Sequence, residues 1–130
     1  MKGTASKEDP VSHEIIGAAL EVHRALGPGL LESAYSACLA YEFSKRGLRF
    51  EQEKSLPVAY KEVHLDAGYR LDFVVENCVV VEVKSVDEMN LLHQAQLLSY
   101  LKLGGYKLGL LINFNVTVLR GGIKRVVLGL

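Results

Sequence analysis

Three charged residues of the 130-residue sequence lie inside apolar, strand-like segments, where charge is unusual. Asp72 lies in the run 71–75, and Glu82 and Lys84 alternate with valines in the run 79–84. An ionised side chain among Val and Phe is costly to desolvate unless it is paired, bound to a metal or placed at an exposed edge. The three residues are therefore the first candidates for a site that does chemistry.

Strand geometry decides whether the three side chains can meet. Side chains alternate along a strand, so Glu82 and Lys84 share one face and stand about 7 Å apart along the backbone. Asp72 shares that face only if the turn between the two strands has three residues, 76–78. The two acids then stand directly across the ladder, with Cβ atoms about 5 Å apart. The core face takes the alternate apolar residues, which are Leu71, Phe73, Val75, Val79, Val81 and Val83.

Two carboxylates at that separation repel each other, so one tends to protonate unless a cation lies between them. A hard divalent cation that takes oxygen ligands removes the conflict. The ammonium of Lys84 can hold a water or stabilise charge that develops on a phosphate. This combination predicts a metal-ion phosphodiesterase centre. The alternative is that Glu82 and Lys84 form a solvated pair on an exposed strand face, and that Asp72 is merely a neighbour of Arg70.

The elements that must position these residues follow from periodicity and turn chemistry. They are helices over 9–26 and 30–46, strands over 49–60, 63–75 and 79–85, a helix over 87–103, a strand over 106–114, and a hairpin of 116–119 with 123–128. Asp9 is the expected N-cap of the first helix, with Pro10 at the first helical position. Asp87 or Ser85 is the expected cap of the third helix. Gly47 should close the second helix in a left-handed conformation.

The order of elements predicts an α/β fold with a mixed sheet. The first three strands are joined tightly and must be antiparallel, and Pro57 indicates an edge strand or a bulge. The segment 79–114 is long enough for a parallel strand–helix–strand crossover. We expect one domain over residues 1–130, with residues 1–8 flexible.

Composition limits the classes of function. Fifteen basic and fifteen acidic residues give a formal net charge of zero, which counts against extensive duplex binding but not against a compact catalytic site. Cys38 and Cys78 are expected to be buried thiols. No apolar run approaches the ~20 residues of a membrane helix, and the default expectation is a soluble, cytoplasmic protein.

Three ordered motifs resemble those of a known superfamily. The run Gly68–Asp72, followed ten residues later by Glu82-Val83-Lys84, resembles the catalytic signature of PD-(D/E)XK nucleases. The segment 29–35, Gly-Leu-Leu-Glu-Ser-Ala-Tyr, matches the motif that names the GxxExxY protein family of that superfamily. The segment 96–100 resembles the Q-x-x-x-Y motif of the RecB-type exonuclease branch. The similarity spans roughly residues 10–128, and Leu71 stands where the superfamily name has proline.

The resemblance implies a restriction-endonuclease-like αβββαβ core with an extra N-terminal helix and a C-terminal hairpin. It implies that Asp72, Glu82 and the backbone carbonyl of Val83 bind Mg²⁺ or Mn²⁺, and that Lys84 positions the attacking water. Glu32 would complete the metal shell or orient its water.

Four helical residues receive roles or alternatives. Gln96 and Tyr100 lie four apart on one helical face. The resemblance implies that they help to shape the site, and the alternative is a core-edge Tyr with a polar neighbour. Glu32 falls within about 20° of Leu39 on a helical wheel, which favours an inward position. Its alternative role is a first-turn acid favoured by the helix dipole. Tyr35 is expected to be a packing residue.

The predicted function is metal-dependent hydrolysis of nucleic-acid phosphodiester bonds, with DNA rather than RNA as the substrate. The alternative is a catalytically silent module of the same fold that serves as a nucleic-acid- or protein-binding accessory subunit. A homo-oligomer or a protein partner is compatible with either prediction. No nucleotide cofactor is indicated, because the Gly-rich segments lack the P-loop and dinucleotide patterns.

Overall fold

The computed structural model describes residues 6–129, with the side chain of Ala67 excepted. The helices are α1 (Glu8–Leu26), α2 (Glu32–Lys45) and α3 (Leu91–Gly104), and a short 3₁₀ helix covers Leu119–Gly122. The strands are β1 (Phe50–Tyr60), β2 (Val63–Val75), β3 (Val79–Lys84), β4 (Leu108–Asn113) and β5 (Ile123–Val127). They form a five-stranded sheet in the order β1-β2-β3-β4-β5. Among the described strands only the β3–β4 pair is parallel, so the sheet is mixed, as predicted.

Both faces of the sheet are covered, and each face has its own apolar core. Side chains of α1 and α2 pack on one face, where Tyr35 and Phe43 meet Phe73 and Val81. The helix α3 packs on the other face, where Leu97 and Leu101 meet Val80. The α/β fold of the predicted core is therefore confirmed, with the helices in two layers around the strands.

The hairpin of β1 and β2 follows the sequence prediction closely. The strands turn at residues 61–62, and β1 is an edge strand whose register shifts between Leu56 and Val58. The predicted edge or bulge at Pro57 is confirmed. Gly47 has a φ of 74°, the left-handed conformation predicted for the end of α2.

The predicted N-cap of α1, Asp9, was wrong, because the N-cap is Lys7. The helix begins at Glu8, so Asp9 lies in its first turn and Pro10 occupies the third helical position. Asp9 forms an ion pair with Arg125 at 2.9 Å instead of capping the helix. Of the residues expected to be flexible, 1–5 lie outside the described residues, whereas Glu8 is helical and buried.

The predicted cap of α3 was also wrong. Asn90 caps the helix, and its side chain accepts from the backbone N–H of Leu92 and His93 while the His93 ring accepts from the Asn90 N–H. Ser85 is used elsewhere, because its hydroxyl donates to the Leu30 carbonyl at 2.6 Å.

The C-terminal hairpin takes a different form from the prediction. Residues 116–119 are not a strand, and the 3₁₀ helix leads from that segment into β5. The Val116 carbonyl bonds to the His23 ring at 2.7 Å, so it is not free for a ladder. The strand β5 pairs antiparallel with β4 instead. Among the described residues, no helix is long and apolar enough to cross a membrane.

Candidate active site

The strands β2 and β3 separate beyond the pair Phe73–Val81, and two carboxylates fill the fork. The Asp72 backbone N–H donates to Glu82 Oε2 at 2.8 Å. The Val83 N–H donates to Asp72 Oδ2 at 2.7 Å. Each acid thus accepts from the backbone of the opposite strand, in place of ladder bonds. The three-residue turn 76–78 brings the two acids together, as the sequence geometry required.

The alternation of β2 breaks at this fork. Leu71 packs in the α3-side core, whereas Phe73 packs in the α1/α2-side core, so the prediction that both face one core was wrong. The paired strand is irregular at the same level, because Glu53 has a φ of 53° between the pairs Gln52–Phe73 and Lys54–Leu71. A non-glycine residue in this left-handed region is uncommon and costs free energy. The break in alternation thus falls at Asp72, between Leu71 on one face of the sheet and Phe73 on the other.

The electrostatics of the fork are those of a crowded acid pair. Glu82 is 5% exposed, and burial, followed by the charge of Asp72, raises its pKa to about 8. Burial also raises the pKa of Asp72, against the opposing effects of the Val83 hydrogen bond and the Lys84 charge. Two acids that are both harder to ionise than usual share one site, which is the conflict that a cation would relieve.

Lys84 ends β3 beside the pair and is half-buried. Its positive charge lowers the pKa of both Asp72 and Glu82. Within the described part of the chain, it forms no ion pair shorter than 4.0 Å. The ammonium is thus close enough to act electrostatically while its hydrogen-bonding capacity remains unused by the acids.

Glu32 is the first residue of α2 and reaches the end of β3. Its Oε2 accepts from the Ser85 N–H at 3.2 Å, and its charge raises the pKa of both fork acids. The residues that follow it at helical spacing, Tyr35 and Leu39, are fully buried, whereas Glu32 itself is exposed. The structure places it at the exposed end of the inward-facing stripe.

Tyr35 has a packing role, as predicted. Its ring is fully buried and stacks on Phe114 with centroids 4.6 Å apart. Its hydroxyl donates to the Gly27 carbonyl at 2.6 Å and accepts from the Leu30 N–H at 3.1 Å. These bonds fix the loop that carries Gly29, whose φ is 100°, and thereby the start of α2.

The two candidate residues of α3 differ in their surroundings. Tyr100 is 8% exposed, and burial, followed by the Glu82 charge, raises the pKa of its hydroxyl. Its ring lies 5.9 Å from that of Tyr69. Gln96 is exposed, and within the described residues no hydrogen bond joins its side chain to the fork. The structure brings Tyr100, but not Gln96, towards the acids.

Sequence reasoning missed Asn113, which is 3% exposed at the end of β4. Its Oδ1 accepts from the N–H groups of Val86 and Asn115, and its Nδ2 donates to the Val86 carbonyl. It thus fixes the segment that follows Lys84. The available signal was a single polar residue near the end of an otherwise apolar run, 108–114.

The family of the chain follows from a comparison with known protein families. Residues 9–126 match the PD-(D/E)XK nuclease superfamily, which is most of the chain and includes the fork acids. The chain belongs to the PD-(D/E)XK nuclease superfamily. A search of curated proteins gave no match, and a search of solved structures gave none.

Members of the PD-(D/E)XK nuclease superfamily generally use divalent metal ions. Among the described residues, no three His, Cys, Asp or Glu side chains are grouped to hold a metal ion, so Asp72, Glu82 and Glu32 do not form a ligand triad. The donor chemistry of the fork nevertheless fits a hard cation. Two carboxylates converge, and burial of both, together with the Asp72 charge at Glu82, favours the protonated form until a cation replaces the proton.

Proposed function

We propose that this PD-(D/E)XK superfamily member is a metal-dependent nuclease that hydrolyses phosphodiester bonds of nucleic acid. The observation that carries the proposal is the reciprocal bonding of Asp72 and Glu82 across the fork of β2 and β3. A structural role alone does not account for it, because two apolar residues would fill the fork without the cost of burying two acids. The cost has a reason if the acids bind a cation.

In this proposal Asp72, Glu82 and the Val83 carbonyl hold Mg²⁺ or Mn²⁺, and Glu32 orients a bound water, since it is not grouped with the two acids as a third ligand. The bound ion would supply charge neutralisation at the phosphate and a more acidic water. The chain itself contributes by holding the three carboxylates in place. The two acids are fixed by backbone donors of the opposite strands, and Glu32 is fixed by the Ser85 N–H.

Lys84 is proposed to hold the attacking water and to stabilise charge on the phosphate. Its place at the end of β3, close enough to lower the pKa of both acids, supports this role. Tyr100 is proposed to shape the side of the site that faces α3. Gln96 is proposed to act with it, although its support is the sequence motif alone.

Finer assignments belong to the same proposal. The sequence of segment 29–35 supports membership of the GxxExxY family. DNA is proposed as the substrate rather than RNA, and the whole chain, 1–130, is proposed to act as one domain. A cytoplasmic location and a homo-oligomer or protein partner remain predictions.

A catalytically silent accessory module is the second candidate, and the formal net charge of zero favours it. A nuclease that binds its substrate unaided usually carries a basic surface. Such a module would bind nucleic acid or protein without cleaving it. The two candidates differ in whether charge at the fork acids and at Lys84 is needed for turnover.

The test uses variants that keep the hydrogen bonds of the fork. In Asp72→Asn and Glu82→Gln an amide oxygen still accepts from the opposite strand, so only the charge is lost. Lys84→Gln removes the ammonium. The matched controls are Asp66→Asn and Lys102→Gln, since both residues are exposed.

Each protein is incubated with Mn²⁺ and with labelled single-stranded, duplex and branched DNA, and with RNA. We expect wild type and controls to cleave at least one substrate, and the three site variants to lose roughly a hundred-fold or more in rate. Folded wild-type protein that cleaves none of these substrates supports the silent module. Cleavage that survives in all three variants removes the fork from the mechanism.

A further inference from the structure

We propose that Arg70 binds a phosphate of the nucleic-acid backbone next to the scissile bond, and that Glu53 competes with that phosphate for the guanidinium. This inference rests on the proposed function, because it extends the fork into a cleft that receives the substrate. It identifies a residue that binds the substrate and an acid that weakens binding. Arg70 lies within the run 68–72 of the signature but has no role assigned to it there, and Glu53 lies outside the motifs.

The cleft lies between α2 and the strands β1 and β2, and it opens directly at Asp72. It has a volume of about 470 Å³ and polar walls. Glu32 and two serines line it from α2, and Glu53, Arg70 and Asp72 line it from the strands. Two fork-related acids and the Arg–Glu pair therefore share one concave surface.

Charge makes Arg70 distinctive on this surface. Among the described residues that line the cleft, Glu32, Glu53 and Asp72 are acidic and Arg70 carries the only positive charge. A phosphate that enters an acidic cleft meets repulsion unless cations compensate for it. A metal at the fork would compensate at one end, and Arg70 is placed to compensate beside it.

The geometry of β2 directs Arg70 towards the same side as Asp72. The two residues are two apart on one strand, and both line the cleft, whereas Leu71 between them is buried on the α3 side. Two positions along a strand span about 7 Å, close to the spacing of successive phosphates along an extended strand. One phosphate at the fork and the next at Arg70 is a spacing that this strand permits.

Glu53 forms an ion pair with Arg70. The Arg70 Nη1 donates to Glu53 Oε1 at 2.9 Å, and the two side chains are 66% and 64% exposed. Exposed ion pairs of this kind contribute little to stability. A phosphate can therefore replace the carboxylate at low cost, and it can accept from the planar guanidinium in a bidentate manner.

The backbone at Glu53 supports a role beyond stability. In a regular strand Gln52 and Glu53 would point to opposite faces, yet both line the cleft. The left-handed φ of 53° at Glu53 accompanies this arrangement. The exposed salt bridge contributes little stability to offset this backbone cost, so the position of the Glu53 carboxylate beside Arg70 supports a functional role.

The experiment measures binding of a fluorescently labelled DNA duplex with a single-stranded overhang in the presence of Mn²⁺. All variants are made in the Lys84→Gln background so that the probe stays intact. Arg70→Gln and Glu53→Gln are compared with Arg125→Gln and Asp9→Asn. The controls come from an exposed Arg–carboxylate pair that also has a 2.9 Å contact and does not line the cleft.

We expect Arg70→Gln to weaken binding roughly ten-fold and to lower the slope of log affinity against log salt by about one, the loss of one phosphate contact. Glu53→Gln should tighten binding several-fold, and most of this gain should vanish in the Arg70→Gln/Glu53→Gln double variant. Arg70→Lys should restore part of the affinity. The controls should change neither affinity nor slope.

The outcomes separate this inference from the function on which it rests. Wild-type protein that cleaves DNA, with Arg70→Gln equal to Arg125→Gln in affinity and salt slope, overturns the role of Arg70 and leaves the nuclease intact. A gain from Glu53→Gln that persists in full without Arg70 shows simple repulsion and overturns the competition. Protein that neither binds nor cleaves any nucleic acid overturns both proposals.

Discussion

Asp72 and Glu82 hold each other's strands: the Asp72 N–H bonds to the Glu82 carboxylate at 2.8 Å, and the Asp72 carboxylate bonds to the Val83 N–H at 2.7 Å. Hydrogen bonds to backbone donors favour the ionised acids, yet the pKa of both is raised, because burial outweighs the bonds; the Asp72 charge adds to the effect at Glu82, and the charges of Glu32 and Glu53 add to it at Asp72. The positions of the two carboxylates are therefore fixed by hydrogen bonds, while ionisation of both is disfavoured. The consequences are measurable in solution without any substrate.

The stability of the metal-free protein should fall as pH rises from about 4.5 to about 8. Glu82 has a pKa of about 8 in the folded protein against an ordinary value of 4.5, so the folded state binds more protons in this range. Unfolding free energy then decreases with pH, by on the order of 4 kcal/mol over the whole interval. Urea denaturation at a series of pH values, with a chelator present, measures the decrease.

Glu82→Gln supplies the control for this dependence, since the amide cannot ionise. Its unfolding free energy should be nearly level over the same interval and should exceed that of wild type at pH 8. The variant Glu42→Gln, at a half-buried position of α2, should keep the wild-type slope. An unfolding free energy of wild type that rises from pH 5 to pH 8 contradicts the raised pKa of Glu82.

Binding of Mn²⁺ should depend on pH through the same group. If the fork holds the ion as proposed, the cation must displace the proton from Glu82, so apparent affinity should rise roughly ten-fold per pH unit between about 6 and 8. Calorimetric titration in buffers of different ionisation enthalpy should show about one proton released per ion. Asp66→Asn should bind as wild type does, and Asp72→Asn should lose Mn²⁺ stabilisation. Affinity that is level across this range is the opposing result.

Local rules are sufficient to predict much of the fork from the sequence. Strand alternation puts Glu82 and Lys84 on one face, and a three-residue turn is enough to bring Asp72 opposite Glu82. Both conditions depend on residues close in sequence, and the register Val75–Val79 satisfies them. The hairpin with its bulge at Pro57 is predictable for the same reason.

The parts that were mispredicted depend on contacts between residues distant in sequence. Ser85 could not be excluded as a helix cap without knowing that its hydroxyl reaches the Leu30 carbonyl, 55 residues away. At Val116, where a strand was expected, the carbonyl instead accepts a hydrogen bond from the ring of His23, 93 residues away. Leu71 lies on the other face at the level where the partner strand is irregular at Glu53, and no pattern in the sequence indicates a left-handed glutamate.

The Tyr35 hydroxyl should be worth roughly 1–3 kcal/mol of stability, because Tyr35→Phe leaves the Gly27 carbonyl and the Leu30 N–H without their partner. The matched control is Tyr41→Phe on the same helix, where the side chain is 60% exposed and the loss should be small. Chemical denaturation compares the two. Equal stabilities for both variants would show that the loop before α2 is held by other contacts.

The Asn113 side chain should contribute more to the unfolding free energy than the side chain of Asn115. Asn113→Ala removes three hydrogen bonds at a position that is 3% exposed, and we expect a loss of roughly 3 kcal/mol. Asn115→Ala removes one long bond to Asp87, at 3.4 Å, and should cost under about 1 kcal/mol.

Hydrogen exchange locates the effect of Asn113→Ala. The Val86 amide, which donates to Asn113 Oδ1 at 3.1 Å, should exchange faster in this variant and at an unchanged rate in Asn115→Ala. Val86 lies two residues beyond Lys84. If the chain is a nuclease as proposed, its cleavage rate should therefore also fall in Asn113→Ala. Protection of Val86 that is retained in Asn113→Ala argues that this segment has another anchor.

Two adjacent glycines before β5 should respond oppositely to alanine. A Cβ added at Gly122 would overlap the Asn113 carbonyl oxygen and press on Val116, so Gly122→Ala requires a backbone shift. A Cβ added at Gly121 meets nothing within 4 Å.

We expect Gly122→Ala to lower the unfolding free energy by roughly 2 kcal/mol, the scale of overpacking in a close-packed site. Gly121→Ala should be neutral or raise it by up to about 1 kcal/mol, since alanine restricts the unfolded chain. Thermal and urea denaturation of the two variants decide the point, and a Gly122→Ala protein as stable as Gly121→Ala would mean that the turn into β5 relaxes freely rather than packing against the end of β4.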